Sequence, residues 1–198
     1  MNQKPLFITG NSHKAEHIQN LLGIPIDHKK LDIDEIQSQY PEEVIEHKVR
    51  QAYEVVQRPV FVDDFSFWFD ELDDLPGTFI KFFVKDNAAI EKLCRLADGL
   101  ASRRVTARAY TGYFDGEKVQ IVHGELKGDI TMHPRGNADY AIATDFVFAV
   151  DGYGGKTRAE LSRKDYEAVY ERVRAVNKVR KMLVGKYCLI GIKIAFIE

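Results

Sequence analysis

The stretch Pro5-Leu6-Phe7-Ile8-Thr9-Gly10-Asn11-Ser12-His13-Lys14-Ala15-Glu16 constrains this chain more than any other. A short apolar, strand-prone run passes into Thr-Gly-Asn-Ser. From Lys14 to Leu22 it becomes a segment whose Ile18, Leu21 and Leu22 fall at helical spacing. That is a strand, a tight turn and a helix start, the joint from which an α/β arrangement is built. The turn gathers backbone N–H groups, small hydroxyls and the positive end of a helix dipole, and Lys14 adds a full charge in the first turn. Such a point suits a phosphate. Gly and Asn also serve turns that need only a positive φ, and Ser or Thr before a helix often only caps it. The spacing is that of neither a P-loop nor a dinucleotide fingerprint.

With 198 residues, 45% of them apolar, the chain can bury a full core as one domain or two closely joined lobes. A formal charge of −2 and the lack of a long basic run give no footprint for a nucleic-acid polymer, though a small charged ligand is compatible. Cys94 falls in a helical pattern and Cys188 in a strand pattern, which reads as buried thiols in a reducing compartment. There is no apolar leader and no run long enough to span a bilayer, so a cytoplasmic protein is expected, with no membrane partner.

Further along, Asp34-Glu35-Ile36-Gln37 precedes a helix opened by Pro41, with Glu42 and Glu43 in its first turn, running to about Gln57. Val44, Ile45, Val49, Ala52, Tyr53 and Val56 form its apolar face, and Lys48 lies outside that set. The run Val60-Phe61-Val62 then ends in Asp63-Asp64, which places two adjacent carboxylates at the carboxyl edge of a sheet, where open α/β sheets bind ligands. Their mutual repulsion between Val62 and Phe65 is a cost that a divalent cation would relieve. The alternative is that one caps a turn and the other faces water. Leu75-Pro76-Gly77-Thr78 reads as a turn, and Lys81 interrupts the apolar run Phe79 to Val84, as a snorkelling residue or a ligand contact.

A helix from Ala88 to Leu100 follows, then strands from 105 to 114 and 119 to 127 flanking the hairpin signal Asp115-Gly116. A third strand segment is expected at 129–132, a loop at 133–137, strand character from Tyr140 to Val150 and a glycine-rich loop at 152–157. A last amphipathic helix should run from Arg163 or Lys164 to Leu183. The apolar tail from Tyr187 to Ile197 is expected to pair as a strand.

In their order these landmarks resemble the inosine triphosphate pyrophosphatase family, whose members hydrolyse deaminated purine nucleoside triphosphates to the monophosphate and pyrophosphate. The resemblance rests on Thr9-Gly10-Asn11 with Lys14 and Glu16, Glu35, Lys48, Asp63-Asp64, Leu75-Pro76-Gly77 with Lys81, Gly124, Gly128, Pro134-Arg135-Gly136, Ala159-Glu160-Leu161 and Arg172. It covers Leu6 to Leu183. It implies an α/β fold in which a long mixed, twisted sheet with flanking helices forms two lobes around a nucleotide cleft. Residues 1–198 would be one domain, with 184–198 as an added strand-like tail, and the family's homodimer is implied as well.

Carried over by position, Thr9, Gly10, Asn11, Ser12 and Lys14 would form the triphosphate-binding loop. Lys48 and Lys81 would contact phosphate oxygens, and Glu35 and Asp64 would hold Mg²⁺. Asp63 or Asp64 would orient or deprotonate the attacking water, with Lys14 assisting. Attack at the α-phosphorus needs cations for the equatorial oxygens and the leaving group, and a carboxylate near the water.

The base pocket departs from the family. Its aromatic-Gly-aromatic-Asp-Pro segment has become Tyr140-Ala141-Ile142-Ala143-Thr144-Asp145-Phe146, and its Ser-His-Arg triplet has become Tyr170-Glu171-Arg172. Tyr166 stands where a lysine is expected. Tyr140, Asp145, Tyr166, Glu171 and Arg172 are therefore the candidate base contacts. An acceptor, Glu171, in place of a donor favours a base bearing an amine or a modification. Alternatively Glu171 lies on the solvent face and pairs with Arg174 or Lys178. A protein that binds the triphosphate without turnover is a second reading, opposed by the retained Glu35, Asp63, Asp64, Lys14 and Lys48.

Overall fold

The computed structural model describes residues 4–84 and 87–187. Its sheet comprises β1 (Leu6–Ile8), β2 (Asp27–Lys29), β3 (Val60–Phe69), β4 (Pro76–Gly77), β5 (Arg104–Phe114), β6 (Val119–Ile130) and β7 (Phe148–Val150). The spatial order is β2-β1-β3-β5-β6-β7, with β4 paired to β3. β1 runs parallel to both neighbours and the remaining pairs are antiparallel, so the sheet is mixed. The helices are α1 (Ser12–Leu22), α2 (Pro41–Val56), α3 (Ile80–Phe83), α4 (Asn87–Asp98), α5 (Arg163–Val173) and α6 (Val176–Tyr187). None is long and apolar enough to cross a membrane among the described residues.

Side-chain alternation along the strands decides which helix covers which face. Leu6, Ile8, Val60 and Val62 pack against Ile45, Val49 and Ala52 of α2. Phe7 and Phe61 point the other way, stack at 4.6 Å, and meet Ile18 and Leu22 of α1 with Val176, Val179 and Leu183 of α6. Farther along the same strands, Phe67, Phe69, Val105 and Ala107 share a core with Leu93 and Cys94 of α4 and Tyr166, Val169 and Val173 of α5. Each such side chain, fully buried, stabilises the fold by roughly 1.5–3 kcal/mol. α1 starts where Asn11 Oδ1 accepts the Lys14 backbone N–H and ends at Gly23 in the left-handed region, φ 64°. α2 opens on Pro41, Glu42 and Glu43 as expected and stops at Val56.

Four expectations need correction. β3 does not end at Asp63-Asp64 but continues to Phe69, paired with β5 throughout. No separate strand forms at 129–132, because β6 runs unbroken to Ile130. Only Phe148–Val150 of the segment 140–150 is strand. Residues before it make a 3₁₀ turn, Ala143–Phe146, with Ala143 at φ 46° and Asp145 Oδ2 accepting the Ile142 N–H. The last helix is two helices, interrupted at Arg174-Ala175 with Ala175 at φ 48°. Its two halves bury their apolar faces in different cores, which one straight helix could not do. The expected tail strand lies outside the described residues beyond Tyr187, as does Cys188.

The break is seated on β6 at Gly124. A Cβ there would stand 2.3 Å from the Arg172 carbonyl oxygen and 2.6 Å from that of Val173, both backbone atoms that cannot swing aside. Gly124→Ala is expected to lower stability by about 1–3 kcal/mol through overpacking, read as the shift in the urea unfolding midpoint.

Candidate active site

β1 stops at Ile8 while β3 runs on beside it, so the turn Thr9–Ser12 opens next to Asp63 and Asp64. Adjacent strand residues face opposite sides of the sheet. Asp63 therefore points with Phe61 toward α1 and α6, and Asp64 points with Val62 toward α2. On the first side, Asp63 Oδ2 takes the Lys14 ammonium at 2.7 Å and also a guanidinium N–H of Arg174. On the second, Lys48 Nζ stands 3.9 Å from Asp64 Oδ1 and 3.0 Å from Glu35 Oε1, and Lys81, carried by α3, donates to Glu35 Oε2 at 2.5 Å.

These neighbours set the charges. Burial alone would raise the Asp63 carboxyl, but Lys14 and Arg174 outweigh it and hold it below the ordinary carboxylate value. Burial raises Asp64; Lys48 opposes the rise, and the Asp63 and Glu35 charges add to it. The Lys81 hydrogen bond brings Glu35 down to about 2, with Lys48 helping against burial. Burial lowers Lys14, against the pull of Asp63. Lys48 is raised: burial is overcome by Asp64 and Glu35.

Thr9, Gly10, Lys14, Glu35, Lys48, Asp63, Asp64 and Lys81 line one cleft together with Leu31, Asp32 and Ile33. A second arm shares Thr9, Gly10 and Lys14 with the first and is walled by Asn11, His17, Tyr140, Ile142, Arg163, Tyr166, Tyr170 and Arg174. The two arms meet at Lys14. Ser12 is exposed as the first residue of α1 and lines neither arm.

The structure thus brings the expected phosphate and carboxylate residues other than Ser12 to one cleft, and only part of the expected base set. Tyr140 and Tyr166 wall the second arm, with ring centroids 4.7 Å apart. Asp145 is buried behind it, accepting from Tyr166 Oη at 2.9 Å and paired with Arg158 at 2.7 Å, so it supports Tyr166 and lines neither arm. Glu171 and Arg172 are exposed and line neither arm, which corrects their expected place. At about 100° per helical residue, Tyr170 and Tyr166 share a stripe that Glu171 and Arg172 leave by about 100° and 200°.

Residues that sequence reasoning passed over complete that stripe. Arg163, Tyr166, Tyr170 and Arg174 recur at intervals of three or four, and the period itself was the available signal. Arg163 lies over the Tyr140 ring at 4.7 Å and Arg174 over Tyr170 at 5.3 Å. His17, one turn beyond Lys14 on α1, meets Tyr170 with ring centroids 4.4 Å apart and the planes tilted by 36°, and bonds Glu167 at 2.6 Å.

Comparison with known proteins bears on the family and the fold. A family model described as the Ham1 family matches residues 6–182. The inosine triphosphate pyrophosphatase of Scheffersomyces stipitis is 32% identical over 195 residues, covering 91% of this chain and 97% of that protein. Inosine triphosphate pyrophosphatase 2 of Trypanosoma cruzi is 31% identical over 178 residues, covering 88% and 89%. Among solved structures, a HAM1 protein from Coxiella burnetii matches with a TM-score of 0.79 at 24% identity, over 92% of this chain and 99% of that one. The Staphylococcus aureus Ham1 protein matches at 0.77 and 21% identity, over 92% and 100%. Both structural matches bear on the fold alone.

Proposed function

The chain belongs to the Ham1 family, and from that premise we propose that it is a nucleoside triphosphate pyrophosphatase, cleaving a nucleoside triphosphate to the monophosphate and pyrophosphate. The observation that carries this reading is the two-armed cleft, in which Lys14, Lys48, Lys81 and Arg174 alternate with Asp63, Asp64 and Glu35. Counted over both arms with Asp32 and Arg163, five cations stand against four carboxylates; the first arm alone sets Lys14, Lys48 and Lys81 against Asp32, Glu35, Asp63 and Asp64, and the aromatic arm beyond Lys14 offers rings for a base.

In this reading the triphosphate runs from Lys14 toward Lys48 and Lys81, whose ammonium groups neutralise its oxygens. Water attacks the α-phosphorus; the new O–P bond forms as the bond to the bridging oxygen breaks, and pyrophosphate leaves with that electron pair. Asp63 is committed to Lys14 and Arg174. Asp64, whose nearest cation among the described residues is Lys48 at 3.9 Å, is the carboxylate left to orient the water and accept its proton.

Glu35 and Asp64 also suit Mg²⁺. Both are hard oxygen donors, and Asp64 carries a partly buried charge that a cation would relieve. No group of three or more His, Cys, Asp or Glu side chains is placed to hold a metal among the described residues. Mg²⁺ needs no such cage, since it keeps several waters and takes substrate phosphates beside one or two carboxylates. When bound it would neutralise charge on the phosphoryl oxygens.

The reading includes a homodimer and a cytoplasmic site of action, supported by the family resemblance and by composition. It also includes a base preference shifted from that of inosine triphosphate pyrophosphatases. With Glu171 on the surface, the shift cannot rest on that acceptor. It rests on Tyr140, Tyr166, Tyr170, His17 and Arg174, which wall the arm. Pyrophosphate release with Mg²⁺ across ribo- and deoxyribonucleoside triphosphates tests both points. Release preferring a base other than those of inosine and xanthosine triphosphates is the expected result. Preference for inosine or xanthosine would keep the reaction and remove the shift. Triphosphate binding with no release would replace the enzyme by a binding protein.

A further inference from the structure

Two cations share one carboxylate oxygen at the corner of the cleft. Asp63 Oδ2 receives Lys14 Nζ at 2.7 Å and Arg174 Nη1, and the three side chains are 7%, 27% and 12% exposed in the order Asp63, Lys14, Arg174. A buried carboxylate needs one cation; a second is surplus. The two cations differ in freedom. Lys14 sits on the first turn of α1 and lines both arms of the cleft. Arg174 is held in place: it follows the end of α5 at the break over Gly124, and its guanidinium lies over the Tyr170 ring.

We infer that Arg174 is a resident counter-ion for Asp63, whose task is to release Lys14 to the substrate's phosphates. The inference rests on the reading of this cleft as a triphosphate site. When a triphosphate enters, Lys14 exchanges Asp63 for a phosphate oxygen, and Asp63 stays paired through Arg174. Without Arg174, Asp63 would keep Lys14, because withdrawing it would leave a buried carboxylate uncompensated. Arg174 is then a positioning residue: it strengthens phosphate binding through Lys14, without touching phosphate. No bond is made or broken in the exchange; one ammonium changes partner.

The distinction from direct contact is measurable in the full chain, using inorganic tripolyphosphate, which has neither base nor sugar, as the probe in titration calorimetry with Mg²⁺. Arg174→Met should weaken binding by about tenfold or more, since Lys14 is then retained by a buried partner. Asp63→Asn, which frees Lys14 outright, should bind at least as tightly as the unaltered protein. In that background Arg174→Met should change affinity by less than about twofold, so the two effects are coupled and not additive. Arg174→Lys should keep most of the affinity. If Arg174→Met costs the same factor with and without Asp63→Asn, Arg174 contacts phosphate itself and the inference is overturned. If Arg174→Met alone fails to fold, comparison of Asp63→Asn with the double variant, which buries no unpaired charge, decides the matter. If the unaltered protein does not bind tripolyphosphate, the triphosphate reading fails and takes the inference with it. A working wild type with additive variants sinks the inference alone.

Discussion

Asp64→Asn is expected to lower the rate of pyrophosphate release by a hundredfold or more, about the weight of a positioned base, while leaving the protein folded and no less stable. Activity and stability part company because of where Asp64 sits. It is partly buried, its nearest cation, Lys48, is 3.9 Å away, and Asp63 and Glu35 repel its charge. Its carboxyl is therefore raised above the ordinary value. Between the ordinary and the raised value the folded chain binds more protons than the unfolded one, so stability falls as pH rises through that window. At neutral pH the ionised group is a net cost, and the amide removes it. Initial rates of pyrophosphate release and thermal melts on the same preparation check both halves. A variant that melts well below the wild type, or that retains its rate, would contradict the role assigned to Asp64.

The largest loss of stability should come from Arg158→Met, by about 3–5 kcal/mol, the usual result of stripping one partner from a buried ion pair. Arg158 and Asp145 have side chains only 6% and 3% exposed, joined at 2.7 Å. Tyr166 donates to the same carboxylate and lies under the guanidinium, its ring 4.9 Å from Arg158 Cζ. Removing Arg158 leaves Asp145 with the phenol and backbone alone. Asp145→Asn combined with Arg158→Met should recover most of the loss, because no unpaired charge is then buried. Urea unfolding midpoints of the two variants give the comparison directly. Equal losses in the single and double variants would mean that packing, not charge, is the origin.

The lysine-and-carboxylate arm proposed for the phosphates is legible in the sequence and the arm proposed for the base is not, for a physical reason. Thr9-Gly10-Asn11 with Lys14 is a local signal, since a cap, a turn and a helix dipole are fixed by neighbours in the chain. The Asp63-Asp64 pair is equally local, yet it suggests a strand end. In the folded chain the strand continues, because alternation sends each carboxylate to a different face and to its own cations. Glu35, Lys48 and Lys81 come from three separate elements, and only the order of landmarks identifies them. The base arm depends on which way α5 is turned and on its break at Arg174-Ala175. That break is set by the glycine on β6, fifty residues earlier, which no periodicity within the helix reveals. Position in the Tyr170-Glu171-Arg172 triplet therefore points to Glu171 and Arg172, where rotation of the helix points to Tyr170 and Arg174.

The antiparallel ribbon of β3, β5 and β6 carries side chains of more than one core on a single set of backbone strands. α2, which carries Lys48, and α5, which carries Tyr166 and Tyr170, both pack on this ribbon, so the two arms of the cleft share one stiff bar instead of riding on independent jaws. The span between them becomes a ruler. In the proposed reading a nucleoside triphosphate is gauged by its length from base to terminal phosphate, and a nucleotide short of one phosphate would leave Lys48 and Lys81 to Glu35.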